Sequence, residues 1–269
     1  MASLEVIRPW KNLDIRYALF DFDGTISLIR EGWQDIMIPY FTEVLCSVRS
    51  GESEQTLKEV VTDFVDTLTG KQTIFQCIRL DEEVVRRGGP HRDPLEYKHE
   101  YLRRLEKRIR SRKEALEAGR EKPEDHLVPG VRSFIDVLQE KGVRCYLASG
   151  TDEKDVLYEA HLLGLDGVFA GGIHGAHDHM LTCSKELVIR DMLEREGILP
   201  QQLVSFGDGY VEVELVANLG GLAIGAATDE QARTGINQWK RRRLIDAGAN
   251  AIIPDFRDVD GILSAVLSR

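Results

Sequence analysis

The apolar residues of this chain follow two periodicities, one over residues 31–122 and another from residue 127 onward. In the first block they recur at steps of three and four, which is typical of amphipathic helices, and no run is typical of a strand. Glycine and proline interrupt this pattern and mark the ends of the helices. The predicted helices cover residues 32–49, 57–68, 73–87 and 94–118. The first block is therefore expected to contain helices only.

From residue 127 onward, short apolar runs alternate with helical patterns. Strands are predicted at 17–20, 143–148, 167–170, 203–206 and 222–224, and helices at 152–163, 185–196 and 209–218. Asp152 is the expected N-cap of its helix. This alternation favours right-handed crossovers and a parallel sheet with helices on both faces, so the predicted fold class is α/β. Residues 1–28 and 127–269 would form the Rossmann-like parallel sheet domain, and residues 29–126 an all-helical domain inserted into it.

Polar residues follow directly after several of these predicted strands. Asp21 and Asp23 follow the first strand, Ser149 and Gly150 the second, and Asp208 the strand at 203–206. The carboxyl ends of parallel strands meet at one edge of a sheet, so these residues are expected to converge. Two nearby carboxylates repel each other, and a cation between them relieves the repulsion. The grouping predicts a site for a hard metal ion such as Mg²⁺.

Further residues would complete an anion and metal site at this edge. The hydroxyl of Ser149 and the backbone N–H groups at a helix start form a natural anion seat, with Lys185 as a point charge against phosphate. Glu212 lies one helical turn after Asp208 and would be a further metal ligand, whereas Glu214 faces elsewhere. The simpler alternative is an Asp-Gly turn whose carboxylates only cap or solvate the strand end.

Composition and charge exclude several classes of protein. The 269 residues, of which 42% are hydrophobic and 30% charged, can bury one large core or two modest ones. The net charge of −10 argues against a nucleic-acid-binding surface, and the basic run 240–243 beside Trp239 is interpreted as a solvent-facing helix. No apolar stretch reaches the length of a membrane span, and the first residues lack the apolar run of a signal peptide. A cytoplasmic monomer or homodimer without nucleic-acid or membrane partners is expected.

Other polar features have an ordinary structural interpretation. The four cysteines are far apart and form no Cys-x-x-Cys pair, so buried free thiols are favoured over disulfides or zinc ligands. His174, His177 and His179 crowd a glycine-rich loop with Asp178, and a solvated or substrate-side loop is favoured over a zinc site. The pair Lys71-Gln72, between two predicted helices, is interpreted as a polar turn rather than a loop that enters the site.

Together these motifs resemble the haloacid dehalogenase (HAD) superfamily of phosphohydrolases. The resemblance is carried, in chain order, by Asp21-x-Asp23-Gly-Thr, strand-Ser149, Lys185 and Gly-Asp208-x-x-x-Glu212. It covers residues 15–28 and about 127–255. The helical block lies where this superfamily inserts an α-helical cap of the C1 type, so the chain resembles the branch of phosphoglycolate phosphatases and β-phosphoglucomutases. Two departures are Glu212 in place of a second Asp and Glu186 in place of the proline that often follows the lysine.

The resemblance implies a mechanism as well as a HAD-like core. Asp21 would attack phosphorus and form an aspartyl phosphate, and Asp23 would act first as general acid and then as general base. Mg²⁺ is the implied cofactor and would neutralise charge between the nucleophile and the phosphate. The implied metal ligands are Asp21, Asp23 through its backbone carbonyl, Asp208 and Glu212. The implied phosphate-binding residues are Gly24, Ser149, Gly150 and Lys185, of which Ser149 and Lys185 are also catalytic.

Three functions remain open on this reading of the sequence. The first is a magnesium-dependent phosphatase that hydrolyses a small phosphorylated metabolite. The second is a phosphosugar mutase, in which Asp23 returns the phosphoryl group to a sugar. The third is a catalytically weak protein that binds a phosphorylated ligand at the same site. The presence of Asp21, Asp23, Lys185 and Asp208 argues against the third function.

Overall fold

A seven-stranded sheet and ten helices make up the part of the chain that the structure describes. The structure is a computed structural model and describes residues 4–177 and 184–267. The strands are β1 (Glu5–Val6), β2 (Tyr17–Phe20), β3 (Arg144–Asp152), β4 (Ile173–Ala176), β5 (Leu203–Gly207), β6 (Leu222–Ala226) and β7 (Ala251–Ile253). The helices are α1 (Gln34–Ser47), α2 (Glu54–Leu68), α3 (Thr73–Arg86), α4 (Pro94–Glu117), α5 (Val131–Glu140), α6 (Glu153–Leu162), α7 (Ser184–Glu194), α8 (Tyr210–Leu219), α9 (Gln238–Asp246) and α10 (Val259–Leu267). Within these residues, no helix combines the length and the apolar character needed to cross a membrane.

β2 lies inside the sheet, whose strand order is β1-β7-β6-β5-β2-β3-β4. β1 pairs antiparallel with β7, and the other pairs are parallel. Phe20 of β2 lies opposite Leu147 of β3 and Phe206 of β5. The carboxyl ends of these three strands therefore lie side by side, and the predicted parallel α/β fold is confirmed.

Aromatic side chains fill the layer beneath the end of β2. The ring of Phe20 stacks on that of Phe206 with centroids 4.9 Å apart, and Phe134 of α5 meets Phe206 edge-on at 5.2 Å. Phe256 packs against the same group, and all four rings are buried. Leu19 is buried on the opposite face of the sheet. Because both faces of β2 are covered, its sequence is an unbroken apolar run rather than an alternating one.

Residues 31–122 fold into α1 to α4 without a strand, as their periodicity predicts. We refer to these four helices as the helical cap. The chain enters and leaves the cap through two adjacent linkers, since Leu28 N–H donates to the His126 carbonyl at 2.8 Å and Val128 N–H to the Ile26 carbonyl at 2.9 Å. The predicted domain boundaries, between residues 28 and 29 and between residues 126 and 127, stay a prediction.

One predicted strand near the edge of the sheet is wrong. Residues 167–170 form turns, and Gly167 adopts a positive φ of 69° that an extended strand does not contain. Val168 and Phe169 are buried in the core from this turn, which explains their strand-like apolar character. The strand at this place is β4, which pairs in parallel with β3.

β3 is longer than predicted at its carboxyl end. It continues past Ala148 to Asp152, with an irregular register between those two residues, so residues 149–151 belong to the strand instead of following it. Asp152 occupies the predicted N-cap position of α6, but its side chain makes no capping hydrogen bond. Its carboxylate instead accepts a hydrogen bond at 2.5 Å from Lys98 of α4, and so joins the sheet to the helical cap.

Three of the four cysteines lie in the described residues, and they are free thiols, as predicted. Cys77 and Cys145 are fully buried, and burial raises the pKa of each thiol to about 12. Cys46 is only half-buried. Cys183 lies outside the described residues.

We expect iodoacetamide at pH 8 to modify Cys46 in the folded protein while Cys77 and Cys145 stay unmodified. At a pKa near 12, roughly one thiol in 10⁴ is ionised at that pH, and the thiolate is the reactive form. Peptide mass spectrometry of protein labelled in buffer and in urea measures the difference. Equal labelling of Cys46 and Cys77 in buffer would contradict the expected burial.

Candidate active site

A cavity of about 90 Å³ lies between the carboxyl end of the sheet and the helical cap. Its sheet side is formed by the residues at the strand ends and the start of α7, namely Asp21, Asp23, Ser149, Gly150, Thr151, Lys185 and Asp208. Its cap side includes aromatic and polar side chains such as Trp33, Gln76 and Tyr101. The structure therefore brings together at one place the residues that the sequence placed at separate strand ends.

Asp21 is buried directly after β2, at the floor of this cavity. Its Oδ1 accepts a hydrogen bond from Phe22 N–H at 2.8 Å and lies 2.9 Å from Nζ of Lys185. Burial raises the pKa of Asp21, Lys185 opposes this shift, and the nearby carboxylates of Glu212 and Asp208 add to it. The negative charge of Asp21 is thus only partly compensated by the protein, and a further cation would favour it.

Lys185, at the start of α7, is held between two carboxylates. It is 1% exposed, and its Nζ lies 2.7 Å from Oε2 of Glu212 in addition to its contact with Asp21. Burial lowers the pKa of Lys185, but the two acids raise it further, so the ammonium stays charged. This buried pair joins α7 and α8 beneath the cavity.

Glu212, predicted as a metal ligand, lies beside Lys185, and its role toward a metal stays a prediction. One of its carboxylate oxygens is taken by Lys185, and the other is buried without a hydrogen-bond partner. Its side chain packs against Gly207, at the end of β5. Glu214 is exposed on the other side of α8. In the described part of the chain, no three His, Cys, Asp or Glu side chains are grouped so as to hold a metal together.

Asp23 lies two residues after Asp21 and faces the end of β3. Its Oδ2 accepts a hydrogen bond from the Thr151 hydroxyl at 2.7 Å, with the Ser149 hydroxyl 3.5 Å away. Its Oδ1 is buried without a hydrogen bond, although Nε of Arg30 lies 3.8 Å away. Ser149 Oγ accepts a hydrogen bond from Thr151 N–H at 3.0 Å, which orients the Ser149 hydroxyl.

Arg30 is a cavity residue that the sequence did not single out. It lies in the linker before α1, is 8% exposed, and donates to the fully buried carboxylate of Glu159 in α6 at 2.8 to 3.1 Å. The same guanidinium approaches Asp23 and Asp155. The sequence carried only a weak signal, an arginine directly after the apolar pair Leu28-Ile29. A buried charge needs a partner. That partner is distant in sequence.

Asp208, after β5, forms an ion pair that was not predicted. Its Oδ2 lies 2.7 Å from Nζ of Lys240 in α9, and the same Nζ lies 2.5 Å from Oε1 of Glu230. Lys240 is buried, so the interpretation of residues 240–243 as a solvent-facing helix is wrong for Lys240. Burial lowers the pKa of Lys240, but Asp208 and Glu230 raise it further. The backbone N–H of Asp208 donates to the Thr25 hydroxyl at 2.9 Å.

Gly24 provides the space for this ion pair. It has a φ of 76°, and a Cβ atom at this position would overlap with Oδ2 of Asp208 and lie 3.1 Å from Oε1 of Glu230. A side chain would therefore be strained by the backbone and would displace Asp208. Both the conformation and the close approach require glycine here.

We expect Gly24→Ala to destabilise the fold by more than the roughly 1–2 kcal/mol that a left-handed alanine costs by itself. Gly88→Ala is the matched control, because Gly88 has a φ of 83° with no atom near the added Cβ. Urea unfolding of both variants measures the difference. Equal losses of stability would mean that Asp208 yields easily to a methyl group.

The segment between α2 and α3 contacts the strand ends. The interpretation of Lys71-Gln72 as a polar turn outside the site is therefore wrong. A Cβ at Gly150 would lie 2.8 Å from the Lys71 carbonyl, and one at Gly70 would lie 3.1 Å from Cα of Gly209. Lys71 lines the cavity and Gln72 is buried, so this pair is not an ordinary exposed turn. Backbone contacts between glycine-containing segments thus close the cavity on this side.

The histidine-rich loop is only partly described. His174 lies in β4 with its Nε2 3.2 Å from the Gly171 carbonyl, and Nε2 of His177 lies 3.5 Å from a carboxylate oxygen of Glu153. Asp178 and His179 lie outside the described residues. The interpretation of this loop as solvated or substrate-side stays a prediction.

Comparison with known proteins agrees with this geometry. Residues 15–220 match the family of haloacid dehalogenase-like hydrolases, and no curated protein sequence matches the chain. Among solved structures it is similar to a β-phosphoglucomutase from Clostridium difficile, with a TM-score of 0.62 at 13% identity over 94% of this chain and 97% of that chain. A predicted phosphoglycolate phosphatase from Haemophilus somnus 129PT has a TM-score of 0.59 at 16% identity over 92% and 97%. CbbY from Rhodobacter sphaeroides, in complex with phosphate, has a TM-score of 0.57 at 17% identity over 94% and 99%.

The chain belongs to the haloacid dehalogenase-like hydrolases, because the family match spans most of its length. The resemblance that the motifs indicated is confirmed. The solved structures share the fold with this chain, a Rossmann-like core that carries a helical cap, and their low identities limit the similarity to that fold.

Proposed function

We propose that this protein is a magnesium-dependent phosphatase that hydrolyses a small phosphorylated metabolite through an aspartyl phosphate. The observation that carries the proposal is the placement of Asp21. One carboxylate oxygen is fixed by Phe22 N–H and Lys185, while among the described residues Oδ2 makes no hydrogen bond. A carboxylate held on one side and open on the other, at the floor of a cavity, is suited to attack phosphorus in line.

Asp23 and the residues around it supply proton transfer and phosphate binding. Asp23 protonates the leaving alcohol and then takes a proton from the attacking water, with the Thr151 hydroxyl holding its Oδ2. The Lys185 ammonium, the Ser149 hydroxyl and the backbone N–H of Gly150 stabilise the oxygens of the transferred phosphoryl group. The backbone N–H of Gly24, predicted to bind phosphate, instead donates to the Ser27 carbonyl at 2.9 Å. Arg30 lies on the cap side of the same cavity and orients the leaving group.

The donor set of the cavity fits Mg²⁺ when Glu212 is left out. Magnesium is usually held by one or two carboxylates, substrate phosphate and water, and needs no full protein cage. Asp21, Asp208 and the backbone carbonyl of Asp23 are the residues that would hold it. Bound there, Mg²⁺ would neutralise negative charge on the nucleophile and the phosphate. The raised pKa of Asp21 supports a requirement for such a cation.

A small substrate is supported by the cavity and by one structural relative. The space between cap and sheet is about 90 Å³ in this structure, which is far below the roughly 300 Å³ of usual ligand pockets. It has room for a phosphate group and a few atoms unless the cap moves. The solved structure of CbbY contains phosphate, and a mutant of that protein was solved with xylulose 1,5-bisphosphate.

A phosphate-release screen over sugar, organic-acid and nucleotide monophosphates, with Mg²⁺ and with EDTA, tests this function. We expect release from at least one small substrate that depends on Mg²⁺. Isomerisation of a hexose phosphate without release, detected by product analysis, would instead assign a mutase. Binding of phosphorylated compounds with neither reaction would assign a ligand-binding protein.

We also propose that the protein acts in the cytoplasm as a monomer or homodimer, without a nucleic-acid partner. Free, buried thiols suit a reducing compartment. The net charge of −10 disfavours association with nucleic acids.

A further inference from the structure

We infer that Lys240 is a built-in counter-ion of Asp208 that weakens the binding of a divalent cation at the site, and that Glu230 limits this effect. The inference rests on the proposed function, since it takes Asp208 as a metal-binding residue. It concerns a lysine and a glutamate that lie outside the motifs of the sequence.

The geometry places one ammonium group between two carboxylates. Nζ of Lys240 lies 2.7 Å from Asp208 and 2.5 Å from Glu230, and the side chain of Lys240 is 8% exposed. The contact uses Oδ2 of Asp208, whereas within the described residues Oδ1 has no hydrogen bond and the residue lines the cavity. Lys240 therefore binds the metal-binding carboxylate from behind and leaves its other oxygen available.

The second lysine of the site has the same arrangement. Lys185 lies between Asp21 and Glu212 as Lys240 lies between Asp208 and Glu230. Four carboxylates and two ammonium groups leave two negative charges when all are ionised. The lysines thus set how strongly the site attracts a divalent cation.

Charge decides the direction of the effect. A positive group next to a metal-binding carboxylate repels a divalent ion, and screening by solvent is weak because the pair is buried. Glu230 shares the ammonium and offsets part of its charge. Removing the lysine charge should therefore strengthen Mg²⁺ binding, and removing the glutamate charge should weaken it.

A purely structural role predicts a different pattern. If Lys240 and Glu230 only kept Asp208 in place, loss of either would disturb that residue and weaken Mg²⁺ binding, as is usual for residues behind a metal ligand. Two nearly isosteric substitutions with opposite expected signs separate these roles. Neither needs a substrate or turnover.

The test is titration of Mg²⁺ alone into the purified full-length protein, by calorimetry and by melting temperature. We expect Lys240→Met to bind Mg²⁺ about tenfold more tightly than the parent and Glu230→Gln several-fold more weakly. We also expect Lys240→Met to melt lower without Mg²⁺ and to gain more from its addition. Arg242→Met, at an exposed position of the same helix, is the control and should match the parent.

Several results would overturn the inference. Affinities that are equal, or that shift in the same direction in both variants, would leave Lys240 a structural role only. If Lys240→Met does not fold, Lys240→Gln replaces it and should also bind Mg²⁺ more tightly. Absence of Mg²⁺ binding in the parent and all variants would overturn the proposed metal site together with this inference. If the parent binds Mg²⁺ but the affinities of Lys240→Met and Glu230→Gln do not shift in opposite directions, this inference is wrong and the proposed metal site stands.

Discussion

Asp21→Asn is expected to lower turnover by about 10⁴-fold or more, because an amide oxygen cannot attack phosphorus as a carboxylate does. The fold should remain intact, since the amide is nearly isosteric and its oxygen can still accept the hydrogen bond from Phe22 N–H. Stability should not fall, because burial already disfavours the charge of Asp21 and Lys185 keeps Glu212 as a partner.

Rate measurement on the best substrate of the screen, with circular dichroism and melting curves, tests this expectation. Asp63→Asn is a suitable control, because Asp63 is exposed on α2 away from the cavity. The control should retain full activity. Substantial turnover by a purified Asp21→Asn protein would rule out an aspartyl phosphate at this residue.

Lys185→Met is expected to cause the largest loss of stability of any single substitution considered, about 3–5 kcal/mol of unfolding free energy. The lysine is 1% exposed and lies between Asp21 and Glu212. Its removal leaves two buried carboxylates without a cation, although the methionine fills the same volume. Activity should be lost as well, because the ammonium next to the nucleophile disappears.

The double variant Lys185→Met, Glu212→Gln isolates the cause. Removing one of the uncompensated carboxylates should restore part of the stability while activity stays low. Lys154→Met, at an exposed position of α6, controls for the loss of a lysine charge as such. Urea unfolding with its midpoint and slope is the measurement. If Lys185→Met is as stable as the parent, the carboxylates of Asp21 and Glu212 become protonated at little cost in free energy.

Much of the fold was predictable because local patterns agree with it. The cap helices were predicted within three residues at every end, since periodicity and glycine or proline mark them. For example, α3 was predicted as 73–87 and observed as Thr73–Arg86. β2 was predicted to the residue by its unbroken apolar run. The apolar turn at 167–170 was misread as a strand because burial there comes from loop side chains packed on the core. The short β1 and β7 carry too few residues for a pattern.

The site was predictable where its residues end strands, and not where they pair across the fold. Asp21, Asp23, Ser149 and Asp208 share the cavity because the sheet is parallel. The placement of Glu212 depends on Lys185 reaching the space between two acids, which helical spacing does not report. Lys240 resembles other basic residues of its helix until Asp208 and Glu230 are placed beside it. Pairs between distant residues need the tertiary fold.

The paired linkers beneath the cap also affect how changes in chain length are absorbed. Ser27 and Leu127 form a bridge, so the ends of the inserted segment are held together at the edge of the core. The entropy cost of closing a segment grows only slowly with its length. Insertions and deletions among the cap helices can therefore leave the register of Tyr17 against Arg144 unchanged. The pairing of the strands that carry the candidate site is thus independent of the length of the segment that covers it.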